Sequence, residues 1–135
     1  HLLISGDMFY RGRLYINDWN AWYDSMKRLV AFAEENPISH IVCNHIEMTT
    51  TPGVDYPLGT YYQPNEPPMR MDVALLNKTW NFAQKVRGPG IYIMEELMLY
   101  NEIPWANTTE TLNAYREGKT IENTVIKMDT TKPSK

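Results

Sequence analysis

The sequence predicts an α/β chain, α+β in the wider sense, and three observations carry that prediction. Two short apolar runs, Leu2-Leu3-Ile4-Ser5-Gly6-Asp7 and Ile41-Val42-Cys43-Asn44-His45, read as buried strands. Between them apolar residues recur at helical spacing. A second helical pattern follows a long stretch rich in turn-forming residues. Strand–helix–strand, with a polar residue at each strand end, is the simplest arrangement. It would bring Asp7 and His45 to the carboxyl edge of a sheet, where open α/β sheets place their ligands. A carboxylate and an imidazole suit a zinc-like metal or a proton-transfer pair. The plain alternative is an aspartate capping a turn and a hydrogen-bonded histidine.

After the first strand, residues 7–17 read as a turn, with Gly12 between Arg11 and Arg13 and with Tyr10 and Tyr15 on either side. Helix one follows, with Asp18 or Asn17 offering a side-chain oxygen to the free amides of the first turn. Trp19, Trp22, Tyr23, Met26, Leu29, Val30 and Ala33 form one broad stripe that needs a sheet to cover it. Pro37 prevents continuation and pushes Asn36 out of the α region. The second strand, 40–44, delivers His45. His40 lies at its far end and reads as structural or exposed. Glu47, two residues past His45, reads as a hydrogen-bonding support for a ligand or as a loop glutamate.

From 48 to 70 the chain is irregular, punctuated by Pro52-Gly53, Tyr56-Pro57, Gln63-Pro64-Asn65 and Pro67-Pro68. A loop of this length within a compact domain is more often functional than not. Tyr56, Tyr61 and Tyr62 could form a wall over a site. Helix two is expected from an N-cap at Asp72 to Val86, with Val73, Leu76, Trp80 and Ala83 as its stripe, widened by Leu75, Phe82 and Val86. Gly88-Pro89-Gly90 stops it. Residues 91–94 read as a strand continued by 97–100, with Glu95-Glu96 as a turn or the start of a short helix. Beyond 103 the chain is more polar; 110–117 could form one or two helical turns and 121–128 an edge strand. Asn77 and Asn107 stand in Asn-x-Thr sequons, which are common by chance.

Composition narrows the function classes. A chain of 135 residues can form one domain with a modest core, and 43% hydrophobic residues is ordinary for one. No run is long enough to span a bilayer. The net charge of −3 and the scattered basic residues give no electrostatic case for nucleic acid. The single cysteine, Cys43, excludes an internal disulfide and reads as a small core residue. No Gly-x-Ser-x-Gly elbow, phosphate-cradling glycine loop or cysteine pair is present, so covalent hydrolase chemistry has no support. The chain opens at His1, without an initiator Met or a signal peptide, and its start in mid-strand is expected of a cut product.

Leu3-Ile4-Ser5-Gly6-Asp7-Met8-Phe9-Tyr10, a helix, then His40-Ile41-Val42-Cys43-Asn44-His45-Ile46-Glu47-Met48, resembles the C-terminal half of the metallo-β-lactamase-fold hydrolases. The resemblance extends through Pro52-Gly53-Val54-Asp55-Tyr56-Pro57-Leu58-Gly59-Thr60, the next helix and the run 91–100. It implies half of an αββα sandwich, with a mixed sheet and two main helices packed on one face. It implies that Asp7 bridges two metals, zinc in the intact parent, and that His45 completes the second site. It places Tyr10, Glu47, Asp55 and Tyr56 near the substrate or behind the ligands, with the loop after His45 bordering the cleft. Residues 1–103 would be the half-domain and 104–135 a polar, partly ordered extension. The family's upstream His-x-His-x-Asp-His motif is absent, since the three histidines are His1, His40 and His45.

Three expectations result. The parent protein is a metal-dependent hydrolase of a small-molecule substrate, using a metal-activated water. This chain alone is inactive, with zinc absent or incompletely held, because a catalytic zinc takes three protein ligands and an open position. Alternatively, the chain is a non-catalytic module that covers an exposed sheet face and edge by forming a homodimer or by joining a missing N-terminal half.

Overall fold

The computed structural model describes residues 1–44, 46–57, 59–102 and 125–128. Among the described residues two helices and six strands follow in the order β1 (Leu2–Gly6), β2 (Arg13–Ile16), α1 (Trp19–Glu35), β3 (His40–Cys43), α2 (Val73–Ala83), β4 (Gly90–Ile93), β5 (Met98–Asn101) and β6 (Val125–Met128). The α+β class expected from the sequence is the one observed. The strands form two sheets. β1 and β3 make a parallel pair, and the other four lie in the order β2-β5-β4-β6 with mixed orientation.

Both helices begin where a short acid can cap them. Asp18 accepts from the Ala21 amide and Asp72 from the Leu75 amide, each closing one of the donors that the first turn leaves open. α1 ends at Asn36, extended ahead of Pro37 as the proline requires. α1 buries Met26, Val30 and Ala33, while Trp19, Trp22 and Leu29 lie half-buried against the same core. α2 stops at Ala83, one turn short of the expected Val86, which is nevertheless buried. The helices meet through aromatic rings, with Tyr23 and Trp80 centroids 4.6 Å apart.

The four-stranded sheet sorts its residues by the period-two rule of strands. Leu14, Ile16, Tyr92 and Leu99 share one core with Met26, Val30, Leu75, Leu76 and Phe82, so both helices cover that face. Ile91, Ile93, Met98 and Tyr100 form a second core with Met48 and half-buried Tyr15. All eight residues of β4 and β5 are buried, which is why they read as continuous apolar runs. They form an antiparallel hairpin, with Glu95-Glu96 in the turn. β6 lies at the sheet edge beside β4, within the segment expected to form an edge strand. The suggested helical turns at 110–117, Asn107 and most of the extension lie outside the described residues.

Three features differ from the sequence reading. Residues 13–16, read as part of a turn, are strand β2. Four residues after a glycine are too short a run to show alternation beside charged neighbours. One mixed sheet was expected, and two sheets form. The third concerns β1, read as buried: Leu2 is 63% and Ile4 70% exposed. Among the described residues β1 pairs only with β3, while β3 is also bridged on its far side by Met71, through Ile41 N to Met71 O at 2.9 Å and Met71 N to Ile41 O at 2.7 Å.

Capping is the most local of these contributions. Asp18→Ala and Asp72→Ala are each expected to lower unfolding free energy by about 1 kcal/mol, read from urea midpoints with an unchanged slope.

Candidate functional site

Parallel strands end on the same edge, so pairing β1 with β3 sets their carboxyl ends side by side. The register runs Leu2↔His40, Leu3↔Ile41 and Ile4↔Val42, then shifts to Gly6↔Cys43. The extra residue is Ser5. Its Oγ lies 2.6 Å from the Phe9 carbonyl and 3.1 Å from the Val42 carbonyl, so one hydroxyl hydrogen serves two acceptors. Gly6 then takes φ +57°, a left-handed conformation that glycine adopts without a Cβ penalty. The chain turns there and leaves Asp7 exposed at the end of β1. Asn44 Nδ2 donates to Asp7 Oδ1 at 3.2 Å, joining the two strand ends. His45, which follows Asn44 directly, and Leu58 lie outside the described residues. Among the described residues no group of three or more His, Cys, Asp or Glu could hold a metal ion.

Behind this edge lies a buried polar cluster around Arg13, which is 4% exposed. Its Nη1 is 3.2 Å from Asp55 Oδ2, and its Nε is 3.9 Å from Glu47 Oε2, an ion pair too long for a hydrogen bond. The Arg13 amide donates to the same Glu47 oxygen at 3.1 Å. Tyr10, 3% exposed, turns its hydroxyl inward and donates to the Arg13 carbonyl. Gly12 makes room for all of this. A Cβ there would stand 2.3 Å from both Glu47 Oε2 and the Tyr10 ring. The backbone closes the same region, with Glu47 N donating to Arg11 O at 3.3 Å and Tyr56 N to Glu47 O at 2.7 Å.

The expected site residues thus separate into two groups. Asp7 stands at the strand edge, open to solvent. Tyr10, Glu47 and Asp55 surround Arg13 and fix the start of the long loop to β2. Tyr56 holds the loop to itself, its hydroxyl accepting from Asn65 N at 2.8 Å. Tyr61 and Tyr62 project fully into solvent. Cys43 is buried, as a core residue should be, and His40 Nε2 lies 3.2 Å from Arg70 Nη1.

Arg11, Arg13 and Asn44 carry more of this geometry than their sequence context announces. Arg11 Nε donates to Glu96 Oε2 at 2.7 Å, and its Nη1 donates to the Pro68 and Arg70 carbonyls. It therefore ties the far end of the loop to the β4–β5 turn. An open cleft of about 190 Å³ lies here, lined by Arg11, Thr49, Thr50, Pro67, Pro68 and Glu96. The one hint in the sequence is the pair of arginines around Gly12, since a glycine between charged residues marks a close approach.

Burial raises the Tyr10 phenol well above its ordinary value of 10.0, and the Glu47 charge raises it further. No family model, curated protein or solved structure matches the chain.

Two predictions come from this cluster. Asp55→Ala leaves Arg13 buried with Glu47 as its remaining carboxylate and is expected to lower stability in urea unfolding, and adding Glu47→Ala, which leaves the guanidinium without either carboxylate, is expected to bring the loss to about 3–5 kcal/mol. Because the folded state keeps Tyr10 protonated, its contribution to stability is complete below pH 10 and is lost as pH rises above it. Absorbance at 295 nm should show Tyr10 ionising only together with alkaline unfolding.

Proposed function

We propose that this chain is the C-terminal portion of a metal-dependent hydrolase, with Asp7 and His45 as metal ligands. The observation that carries the reading is the parallel β1–β3 pair, whose carboxyl ends bring Asp7 against Asn44, the residue before His45. The sequence resemblance of both segments to metallo-β-lactamase-fold hydrolases supports it. So does the donor chemistry, because a carboxylate and an imidazole are ordinary zinc ligands. Bound zinc would lower the pKa of a coordinated water to near neutrality and polarise a carbonyl or phosphoryl oxygen of the substrate.

The chain's own residues supply the surroundings. Gly6 turns the Asp7 carboxylate outward. The Arg13–Asp55 and Arg13–Glu47 pairs hold the first part of the 48–70 loop, and Arg11 holds its last part, beside the strand edge. Two ligands fall short of the three that a catalytic zinc takes, so the isolated chain is read as inactive.

A second reading has its own observation. Leu2 and Ile4 put two large apolar side chains into solvent on a strand paired along one side among the described residues. Such an edge invites a further strand, from a second copy or from the rest of the parent protein.

Zinc content and solution mass of the purified chain test both readings. The expected result is no stoichiometric zinc as purified, weak uptake of added zinc that Asp7→Ala and His45→Ala each abolish, and a mass above the monomer. Stoichiometric zinc in a monomer would overturn the fragment reading. Uptake indifferent to both substitutions would overturn the assignment of the ligands.

A further inference from the structure

The cleft beside Arg11 holds hydrogen-bonding groups that the fold leaves unused. Arginine carries N–H donors on all three guanidinium nitrogens. Arg11 gives Nε to Glu96 Oε2 at 2.7 Å and Nη1 to the Pro68 and Arg70 carbonyls, and among the described residues Nη2 makes no bond. Nε and Nη2 lie along one edge of the guanidinium plane, where a carboxylate frequently takes both. Glu96 takes Nε alone. The pair is one-armed among the described residues, with an unused donor on Arg11 beside an unused acceptor, Oε1, on Glu96.

The rest of the cleft sorts in the same way. Thr49 and Thr50 both line it, but the Thr49 hydroxyl is engaged within the loop, donating to Val54 O at 2.8 Å and accepting from Thr51 N at 3.1 Å. The hydroxyl of exposed Thr50 makes no bond among the described residues. Pro67 and Pro68 add apolar ring walls. Charge cancels locally, since Arg11 pairs with Glu96 and Glu95 pairs with Lys78 at 2.9 Å. At about 190 Å³ the cleft is smaller than the roughly 300–1,000 Å³ of sites for drug-sized ligands, so it suits a single ring or a short chain.

These features choose between ligand classes. An anion at Nη2 would stand against the Glu96 carboxylate, and a cation at Oε1 against the guanidinium. A hydroxyl meets both, accepting from Nη2 while donating to Glu96. A second hydroxyl matches Thr50, and the C–H faces of a sugar ring match the prolines. We propose that this cleft binds a neutral, polyhydroxylated ligand the size of one sugar ring, with Arg11 Nη2 and Glu96 as the donor–acceptor pair for one hydroxyl and Thr50 as the partner of another. The inference goes beyond the hydrolase reading and uses neither Asp7 nor His45.

The test is a nuclear magnetic resonance titration of the purified chain with the methyl glycosides of glucose, galactose and mannose, with sodium acetate and ethylammonium chloride as charged controls. At least one glycoside should give saturable shifts of the Arg11 side-chain Nε–H and of the Thr50 and Glu96 amides, with a dissociation constant in the millimolar range. Thr50→Val should weaken that binding about 3- to 10-fold, the worth of one hydrogen bond, at an unchanged melting temperature. Glu96→Gln removes the charge that repels anions, so acetate should begin to shift the Arg11 Nε–H signal while the glycoside binds more weakly.

Absence of localised shifts with all three glycosides, up to their solubility, would overturn the proposal. So would acetate or ethylammonium shifting the same signals of the wild type as strongly as the best glycoside, or glycoside binding that Thr50→Val and Glu96→Gln both leave unchanged. None of these outcomes bears on zinc uptake, so the hydrolase reading stands or falls separately.

Discussion

A guanidinium with almost no access to water sets the terms for the middle of this chain. The burial of Arg13 is tolerable only because Asp55 and Glu47 stand against it. Those two carboxylates belong to the segment that follows β3, while Arg13 opens β2. The ion pairs therefore tie β2, at one end of the four-stranded sheet, to the loop that follows β3 of the smaller one. Gly12 and Tyr10 are what this arrangement demands of their positions: no Cβ in one case, and a donor for the Arg13 carbonyl in the other. Neighbouring choices along 10–13 and 47–56 serve one buried charge.

That dependence also explains which parts of the molecule were legible in the sequence. α1 and α2 announce themselves because a helix records its buried face locally, in the spacing of Met26, Val30 and Ala33 or of Leu76 and Ala83, and marks its start with a single acid. The β4–β5 hairpin is visible as two apolar runs. β2 is not, since its four residues include a buried arginine, and no local pattern separates the buried Arg13 from the half-buried Arg11. The burial of β1 was overestimated for a related reason. An apolar run shows that a face can be covered, and coverage is a property of partners far away in sequence.

The candidate site divides along the same line. Asp7 was placed at a strand end by pattern alone, and the structure puts it there. Tyr10, Glu47 and Asp55 face Arg13, and its ionic partners, 34 and 42 residues further along the chain, leave no trace in spacing. Asn44 was passed over as part of a strand. Its contact with Asp7 comes from a one-residue shift in register, which depends on how Ser5 satisfies two carbonyls and not on any motif.

The long loop, finally, is fastened at both ends and closed on itself between them, through Thr50 N to Asn65 O and Asn65 N to the Tyr56 hydroxyl. Thr49 and Val54, Met48 and Asp55, and Arg13 and Asp55 hold its beginning. Met71 against Ile41, and Arg11 on the Pro68 and Arg70 carbonyls, hold its end. Tyr61 and Tyr62 stand exposed at its turn, offering an aromatic-specific protease such as chymotrypsin two adjacent bonds. A backbone cut there severs the polypeptide without releasing either piece, because each new terminus stays anchored a few residues away. The nicked protein would migrate as one particle under native conditions and as two bands only after denaturation.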